Sequence, residues 1–364
     1  MLKKQKGITL VALVVTIVVL LILAGVSINL VLGDNGIVKK AQEAKRKSGE
    51  ASQNDLTSMN ELAKELEDVI DGTGNNDNES KFMKENTKVT YPDGDVWIPE
   101  GFKIAEDSAL TVQGGVVIED KDGNQFVWVP VANIADYKRT WYTGNNSFSS
   151  YSETLPDDEK TSVERYKGFY IGRYEAGDKE STGTTKATFR TDSSDTSNSV
   201  TIKADQVPYN YVTRTQAVSL AEGFATKQGY KAKTKLVSSY AWDTTIAFIE
   251  KTVNNYGSSS SQGNYYNTSV NYKDITDESK PEKTKAENSS LLVATGQTTP
   301  VCNIYDMGGN VWEWTTESWS DTDIPYAIRG GFYGVNFASR PAGVRYGSSG
   351  GAVTNIGFRL TLFM

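Results

Sequence analysis

The chain has 364 residues, a net charge of −7 and a pI near 5.0. That length is enough to bury a large core, and the acidic balance disfavours binding to a phosphate backbone, so we expect no nucleic-acid partner. The sequence contains no histidine and one cysteine, which excludes imidazole catalysis, His-ligated metal sites and an internal disulfide. We therefore predict no metal site and no cofactor.

The N-terminus predicts a membrane helix. After residues 1–7, which carry three lysines, an apolar run continues to Ile28. At ~1.5 Å per residue the run is long enough to cross the ~30 Å hydrocarbon core, so we predict a transmembrane helix over residues 8–32. A cleaved signal peptide is the alternative, but its apolar core is usually shorter, about 7–15 residues.

Lysines followed by Gly7 and an apolar stretch resemble the leader of type IV pilin-like proteins. The resemblance implies cleavage after Gly7 by a prepilin peptidase, methylation of the new N-terminus at Ile8, other pilin-like subunits as partners, and a single-pass membrane protein with its C-terminal domain outside the cell or in a pilus. Ala12 stands where the family usually has glutamate, which disfavours polymerisation. Counting lysines and arginines on both sides of the span by itself favours the opposite orientation.

Beyond the membrane helix the sequence predicts a stalk, a linker and a large domain. Apolar residues recur at spacings of three and four from Leu56 to Ile70, as an amphipathic helix requires, so residues 33–71 are assigned to a stalk helix. Residues 72–90 are polar and are assigned to a linker. Residues 91–364 are assigned to one loop-rich domain.

Short strands and two helices are predicted inside this domain. Strand-like patterns occupy Val96–Pro99, residues 110–113 and residues 115–118, and helical periodicity covers residues 215–228 and 242–253. Polar insertions at 140–160, 177–205 and 253–296 are expected at the surface.

A motif near the C-terminus combines turn residues with alternation. Asp306, Gly309 and Asn310 favour a tight turn, and the alternation that follows places Trp312 and Trp314 on one face of a strand. Two further segments, Arg-Gly-Gly at 329–331 and Gly-Phe-Arg at 357–359, combine arginine with glycine. We interpret the four charged residues of the motif as buried side chains whose charges are paired and which hold loops against the core. They are Asp306, Glu313, Arg329 and Arg359. The complete set is Asp306, Gly309, Asn310, Trp312, Glu313, Trp314, Arg329, Gly330, Gly331, Gly357, Phe358 and Arg359.

In order and spacing, these segments resemble the formylglycine-generating enzyme and sulfatase-modifying-factor family. The resemblance implies an irregular α+β domain of the C-type-lectin-like kind. In the family two cysteines that handle copper and the substrate thiol follow the Arg-Gly-Gly segment. Ungapped alignment from Arg329 places those positions at Val335 and Arg340, and neither side chain supplies a thiolate. We therefore predict that the chain is not an enzyme.

Residues 332–355 mix aromatic, small and polar side chains without regular periodicity. Such a segment close to the C-terminus resembles the variable region of diversity-generating retroelement target proteins, which implies a candidate variable region at 329–359. Aromatic side chains serve as rigid anchors at recognition surfaces, and Asn and Ser serve as adaptable hydrogen-bonding groups. The predicted ligand contacts are Phe332, Tyr333, Val335, Asn336, Phe337, Ser339, Tyr346 and Ser348.

The sequence thus predicts a membrane-anchored, pilin-like surface protein that binds an extracellular protein or other surface ligand, as an adhesin or receptor does. Two alternatives remain at this point. One is an active member of the modifying-enzyme family acting through Cys302, although Cys302 lies in an apolar stretch and is interpreted as a small buried hydrophobe. The other is a structural minor pilin.

Overall fold

Short strands separated by turns dominate the part of the chain that the computed structural model describes, which is residues 81–142, 151–178, 200–273, 282–319 and 323–364. The predicted leader, membrane helix and stalk, with Gly7 and Ile8, lie outside these residues. Within the described ranges, no helix combines the length and the apolar character needed to cross a membrane.

Two of the four helices in the described ranges begin with a side-chain cap. Thr213 forms a capping box with Gln216 at the start of the second helix, and Gly229 ends that helix in the left-handed conformation. The Ser238 hydroxyl caps the third helix. The helices are α1 (Asp157–Tyr166), α2 (Arg214–Gln228), α3 (Ser239–Glu250) and α4 (Tyr256–Ser259), and a 3₁₀ turn covers Ile134–Asp136.

Seventeen short strands are present among the described residues. They are β1 (Thr87–Tyr91), β2 (Gly94–Ile98), β3 (Lys103–Ile104), β4 (Val117–Glu119), β5 (Gln125–Pro130), β6 (Gly168–Gly172), β7 (Gly177–Asp178), β8 (Val200–Thr201), β9 (Val207–Pro208), β10 (Lys233–Leu236), β11 (Val270–Tyr272), β12 (Lys283–Lys285), β13 (Trp312–Ser318), β14 (Tyr326–Arg329), β15 (Tyr346–Ser348), β16 (Ile356–Phe358) and β17 (Leu360–Phe363).

A six-stranded antiparallel sheet in the order β10-β17-β6-β5-β4-β3 is covered on both faces. Alternation along β5 shows this directly, because Phe126 and Trp128 enter one apolar cluster while Val127 and Val129 enter another. Side chains on a strand point alternately to opposite faces, so a strand that is buried on both sides needs an unbroken apolar run. The Phe-Val-Trp-Val sequence of β5 supplies that run.

A four-stranded sheet in the order β15-β14-β13-β16 carries the C-terminal motif. β13 pairs antiparallel with β14 and parallel with β16. Trp312 and Trp314 of β13 are both buried in the larger apolar cluster. They lie on one face of the strand, as the sequence pattern predicts. Three smaller sheets, β8-β7-β9, β1-β2 and β11-β12, complete the architecture.

The predicted α+β class is confirmed, and three local assignments need correction. Residues 110–113 form a bend and a turn, because the Asp93 carboxylate accepts hydrogen bonds from the amides of Val112 and Gln113 at 2.7 and 2.9 Å. The helix predicted from 242 begins earlier, at Ser239, because Ser238 caps it. The first strand begins at Thr87, so the last four residues of the range assigned to the linker, 87–90, belong to this strand.

Candidate ligand-binding surface

Residues 332–355, the segment singled out as the candidate binding region, are held at both ends beside one strand. Glu313 of β13 is the register partner of Arg329 on one side and of Gly357 on the other. The two ends of the segment therefore lie at the same level on either side of β13, and between them the chain forms β15 at the edge of the same sheet. Fixing the two ends of a loop next to each other reduces the conformations open to it, so its side chains are presented from a rigid frame.

An ion pair between Glu313 and Arg359 lies under this frame. Both side chains are fully buried, and the guanidinium donates to the two carboxylate oxygens at 2.7–3.1 Å. Its other hydrogen bonds go to the carbonyl oxygens of Gly172 and Tyr305, each at 2.9 Å. A buried pair is stable only when its remaining donors are satisfied. The pair meets that condition and links the four-stranded sheet to the six-stranded sheet.

A larger buried cluster contains Asp243, Glu317, Arg329 and Arg345, all with no exposed side-chain surface. Both arginines donate to Asp243, and the Arg345 Nε donates to both oxygens of Glu317 at 2.9 Å. Burial and then the charge of Arg345 lower the pKa of Arg329. Burial by itself would lower the pKa of Arg345, but the charges of Asp243 and Glu317 raise it above its ordinary value.

The sequence identified only Arg329 of this cluster. The other three members come from α3, from the end of β13 and from the candidate segment itself, and no local pattern connects them. Arg345 divides the segment into two parts, because its side chain is fixed inside the protein. Residues 332–340 on one side of it form a surface loop, and residues 346–355 on the other side form a second surface segment that begins with β15.

Glycines at two positions of the motif are required by close backbone approaches. Gly331 has φ +78°, and a Cβ atom there would lie 2.5 Å from the carbonyl oxygen of Arg340. Gly309 has φ +77°, and its Cβ atom would lie 2.4 Å from the carbonyl oxygen of Asn264. Neither separation is compatible with a side chain, so these glycines let other loops pack directly against the frame.

The eight predicted contact residues all reach the surface. Asn336 and Ser339 are exposed, and the other six are half-buried, namely Phe332, Tyr333, Val335, Phe337, Tyr346 and Ser348. An anchor that is half-buried keeps its orientation through packing while one part of the ring remains accessible. Their positions are thus those that a preorganised binding surface needs.

Aromatic rings in this surface pack on one another. The Tyr346 ring stacks on the buried Trp312 ring with centroids 5.5 Å apart and planes at 19°. Phe332 lies 6.3 Å from the same indole, and Tyr333 meets Phe332 edge-on at 5.3 Å. Trp312 therefore belongs to the core and supports the rings above it. We call Phe332, Tyr333, Tyr346 and Trp312 the aromatic stack.

A polar insertion borders the 332–340 loop. The Tyr266 amide donates to the carbonyl oxygen of Val335 at 2.9 Å, and the Phe337 amide donates to Asn267 Oδ1 at 3.1 Å. The Tyr266 side chain is 39% exposed beside these contacts. The sequence predicted this insertion to lie at the surface but did not predict its position against the candidate segment, since residues so far apart in the chain show no common pattern.

Lys285 fastens the insertion from inside. Its ammonium group is buried and donates to the carbonyl oxygens of Tyr265, Thr268 and Ser289 at 2.7, 2.6 and 3.2 Å. Tyr265 in turn donates from its hydroxyl to the Gly330 carbonyl oxygen at 2.9 Å. One buried cation thus holds the turn that contacts the candidate segment.

Cys302 is buried in the second apolar cluster and adopts a positive φ of 50°. Its Sγ atom lies 3.4 Å from the Thr252 hydroxyl and 3.6 Å from Gln113 Nε2. Burial raises the pKa of the thiol above its ordinary value. A nucleophilic cysteine needs the thiolate form and access to a substrate, and this environment opposes both.

The two positions aligned with the family's cysteines lie in the 332–340 loop. Val335 and Arg340 are both half-buried. Arg340 lies over the Tyr346 ring, with its Cζ atom 4.7 Å from the ring centroid. In the described ranges, Asp, Glu and Cys side chains form no group of three or more that would hold a metal ion.

A third buried polar group contains Glu175, Asp306 and Asn310 next to the Glu313–Arg359 pair. Asn310 donates to Glu175 at 2.8 Å, and Asp306 accepts from the Thr298 hydroxyl at 2.6 Å and the Gly296 amide at 2.8 Å. Burial, with the charges of Asp306 and Glu313, raises the pKa of Glu175 well above its usual range. Burial also raises the pKa of Asp306 and of Glu313. The group contains more carboxylates than cations.

Asp306→Asn is expected to stabilise the domain at pH 8, by an amount on the order of 1 kcal/mol. Asparagine keeps both hydrogen bonds, because its oxygen accepts from the Gly296 amide and its amino group donates to the Thr298 hydroxyl. A carboxylate whose folded pKa is raised binds its proton more tightly in the folded state. Stability therefore falls as pH rises above the unfolded values, about 3.9 for Asp and 4.3 for Glu.

Thermal unfolding at pH 5 and pH 8 checks this expectation. The midpoint temperature of the wild type should be lower at pH 8 than at pH 5. The decrease should be smaller for the variant. Asp122→Asn, at an exposed position, is the matched control and should follow the wild type. A lower midpoint for Asp306→Asn than for the wild type at pH 8 would show that the charge of Asp306 stabilises the cluster.

Comparison with known proteins identifies one family. The family described as sulfatase-modifying factor enzyme 1-like domain matches residues 142–362, which is more than half of the chain. No curated protein matches the chain.

Three solved structures are similar in part. Treponema denticola variable protein 1 has 13% sequence identity and a TM-score of 0.40, covering 66% of this chain and 96% of its own. The CarF crystal structure has 15% identity and a TM-score of 0.37, covering 66% and 98%. PvdO from Pseudomonas aeruginosa has 17% identity and a TM-score of 0.35, covering 68% and 98%.

Proposed function

The chain belongs to the sulfatase-modifying factor enzyme 1-like domain family, and from this premise we propose that it is a non-catalytic member that binds an external protein ligand. The observation that carries the proposal is the aromatic stack, in which Tyr346 packs on the buried Trp312 while remaining half-exposed. Rigid aromatic anchors beside exposed Asn and Ser side chains are the composition of recognition surfaces.

The non-catalytic part of the proposal is supported by the lack of a suitable thiol. The positions aligned with the family's cysteines hold Val335 and Arg340, and the one cysteine of the chain is buried with a raised pKa. Copper(I) selects thiolate ligands, and a protonated, buried thiol is a poor ligand and a poor nucleophile. These observations favour a binding role over the enzymatic alternative.

The surface-display part of the proposal depends on the N-terminal sequence. The apolar run and the pilin-like leader would place the domain outside the cell as an anchored adhesin or receptor, with prepilin peptidase acting at Gly7 and Ile8. The most specific part of the proposal is that a diversity-generating retroelement exchanges residues 332–355. Sequencing this part of the gene across a cell population checks it, because diversification confines substitutions to these codons.

Binding through the aromatic stack is tested by Tyr333→Ala combined with Tyr346→Ala. The probe is a library of random twelve-residue peptides displayed on phage, selected against the full-length chain in detergent. We expect the peptides selected by the wild type to bind the double variant about 10- to 100-fold more weakly, because aromatic anchors contribute most of the binding free energy.

The matched control is Tyr240→Ala combined with Tyr305→Ala, which removes two half-buried tyrosines outside the candidate surface. It should retain the selected peptides. Tyr333→Ala alone serves if the double variant fails to fold, because Tyr333 packs on a small cluster of Leu292 and Val311. Equal binding by the wild type and by every folded tyrosine variant at this surface would refute the proposed binding role.

A further inference from the structure

Arg340 lies at the outer end of the aromatic stack. Its guanidinium covers the Tyr346 ring at 4.7 Å, and that ring stacks on Trp312 at 5.5 Å. A guanidinium over an aromatic face is held in a fixed plane by the cation–π attraction. The side chain is half-buried, so the cation is both oriented and accessible.

One edge of this guanidinium is open. Nη1 donates to the carbonyl oxygen of Ser339 at 2.9 Å. In the parts of the chain that the structure describes, no residue accepts a hydrogen bond from Nε or Nη2 of Arg340, and no carboxylate pairs with it. The Nε–Nη2 edge of an arginine presents two parallel N–H groups that match the two oxygens of a carboxylate.

The segment that carries this edge contains charges of one sign only. Residues 324–364 contain four arginines and no aspartate, glutamate or lysine, although the whole chain carries a net charge of −7. Arg329, Arg345 and Arg359 are fully buried and paired. Arg340 is therefore the cation that this segment offers to a ligand, and the segment has no acidic side chain to neutralise it.

We infer that Arg340 is a ligand-binding residue and that the ligand is an acidic segment of another protein, with an Asp or Glu carboxylate on the open guanidinium edge and a neighbouring apolar side chain against the aromatic stack. The inference rests on the proposed binding function and adds the chemical class of the partner. The residue that replaces a family cysteine thus becomes the charged anchor of a recognition surface.

A sulfated glycan is the other source of anions, and the distribution of charge disfavours it. Binding of a polyanion depends on several accessible cations, each neutralising one charge. The segment offers one accessible arginine in an acidic protein. One carboxylate flanked by apolar surface matches one guanidinium flanked by aromatic rings.

The experiment repeats the phage selection with full-length wild type, Arg340→Gln, Arg340→Lys and Arg340→Glu. Peptides selected by the wild type should be enriched in Asp and Glu next to apolar residues. They should bind Arg340→Gln about tenfold more weakly than the wild type. Their affinity for Arg340→Lys should lie between these values, because lysine keeps the positive charge but lacks the two parallel N–H groups of the guanidinium. Arg340→Glu should instead select peptides enriched in Lys and Arg.

Arg165→Gln is the matched control. Arg165 is exposed and lies over the Tyr166 ring at 5.1 Å, so it is also an arginine stacked on a tyrosine, but on α1. The control should select the same acidic peptides as the wild type. Unchanged thermal midpoints for the arginine variants will show that the fold is retained.

The outcomes separate the two proposals. Binding that depends on Tyr333 and Tyr346 but shows no acidic enrichment, or none that Arg340→Gln removes, overturns the inference and leaves the binding surface standing. Binding that is unchanged when Tyr333 and Tyr346 are replaced overturns both the inference and the proposed binding surface. Arg340-dependent binding of heparin in place of peptides shows a sulfated glycan to be the ligand and also overturns the inference.

Discussion

Asp243→Asn is expected to destabilise the domain by about 3–5 kcal/mol. The side chain is fully buried and accepts from Arg329, from Arg345 and from the Thr140 amide at 2.9 Å. Asparagine has nearly the same shape but no charge, and it places an N–H group against N–H donors. The variant leaves Arg329 and Arg345 buried with Glu317 as the remaining carboxylate, and an uncompensated buried cation is far more costly than the loss of an exposed pair.

Thermal unfolding followed by near-UV circular dichroism measures the effect. For a domain of this size a loss of this magnitude corresponds to a midpoint lower by roughly 10 °C. Asp95→Asn is the control, because Asp95 pairs with Lys88 at 2.6 Å with both side chains more than 40% exposed. The control should melt with the wild type. If Asp243→Asn also melted with the wild type, the cluster would not hold the two parts of the candidate segment in place.

Trp312→Ala is expected to cost about 3–5 kcal/mol, because it removes a large side chain from the core and leaves a cavity. Trp312 is 4% exposed, packs in the larger apolar cluster and supports Tyr346 and Phe332. The loss should therefore appear in both stability and peptide binding. Trp312→Phe keeps an aromatic ring under Tyr346 and should lose less of each.

Denaturant unfolding of the two variants, compared with Trp97→Ala, checks the expectation. Trp97 is half-buried and meets Tyr166 edge-on at 5.4 Å, so its removal should destabilise the protein less than removal of Trp312. A Trp312→Ala protein with wild-type stability and no peptide binding would contradict the assignment of Trp312 to the core and would place the indole in contact with the ligand.

Both expectations follow from the same construction, in which the exposed side chains of the candidate surface rest on buried ion-pair clusters and on the buried Trp312 indole. Variation at Asn336 or Ser339 changes the surface without touching the ion pairs below it. Such an arrangement tolerates exchange of contact residues. The same property supports the proposed role as a receptor.

The sequence determined the parts of this protein that depend on neighbours in the chain. Turn residues before alternating aromatic residues predicted β13, periodic apolar residues predicted α2, and the α+β class followed from the family resemblance of the motifs. The missing thiols at Val335 and Arg340 are also a property of sequence alone. Each of these features requires only short-range geometry or residue identity.

The tertiary structure decided what requires contacts between distant residues. Asp243 and Glu317 show no pattern that marks them as partners of Arg345, and Tyr266 reaches Val335 across the fold. The sequence identifies Arg340 only as the residue at the position of a family cysteine. Its stacking on Tyr346 and its open guanidinium edge are features of the tertiary structure. Because the role of a charge depends on its partners and its burial, only the fold distinguishes the three buried, paired arginines from Arg340, the one that we propose as the ligand contact.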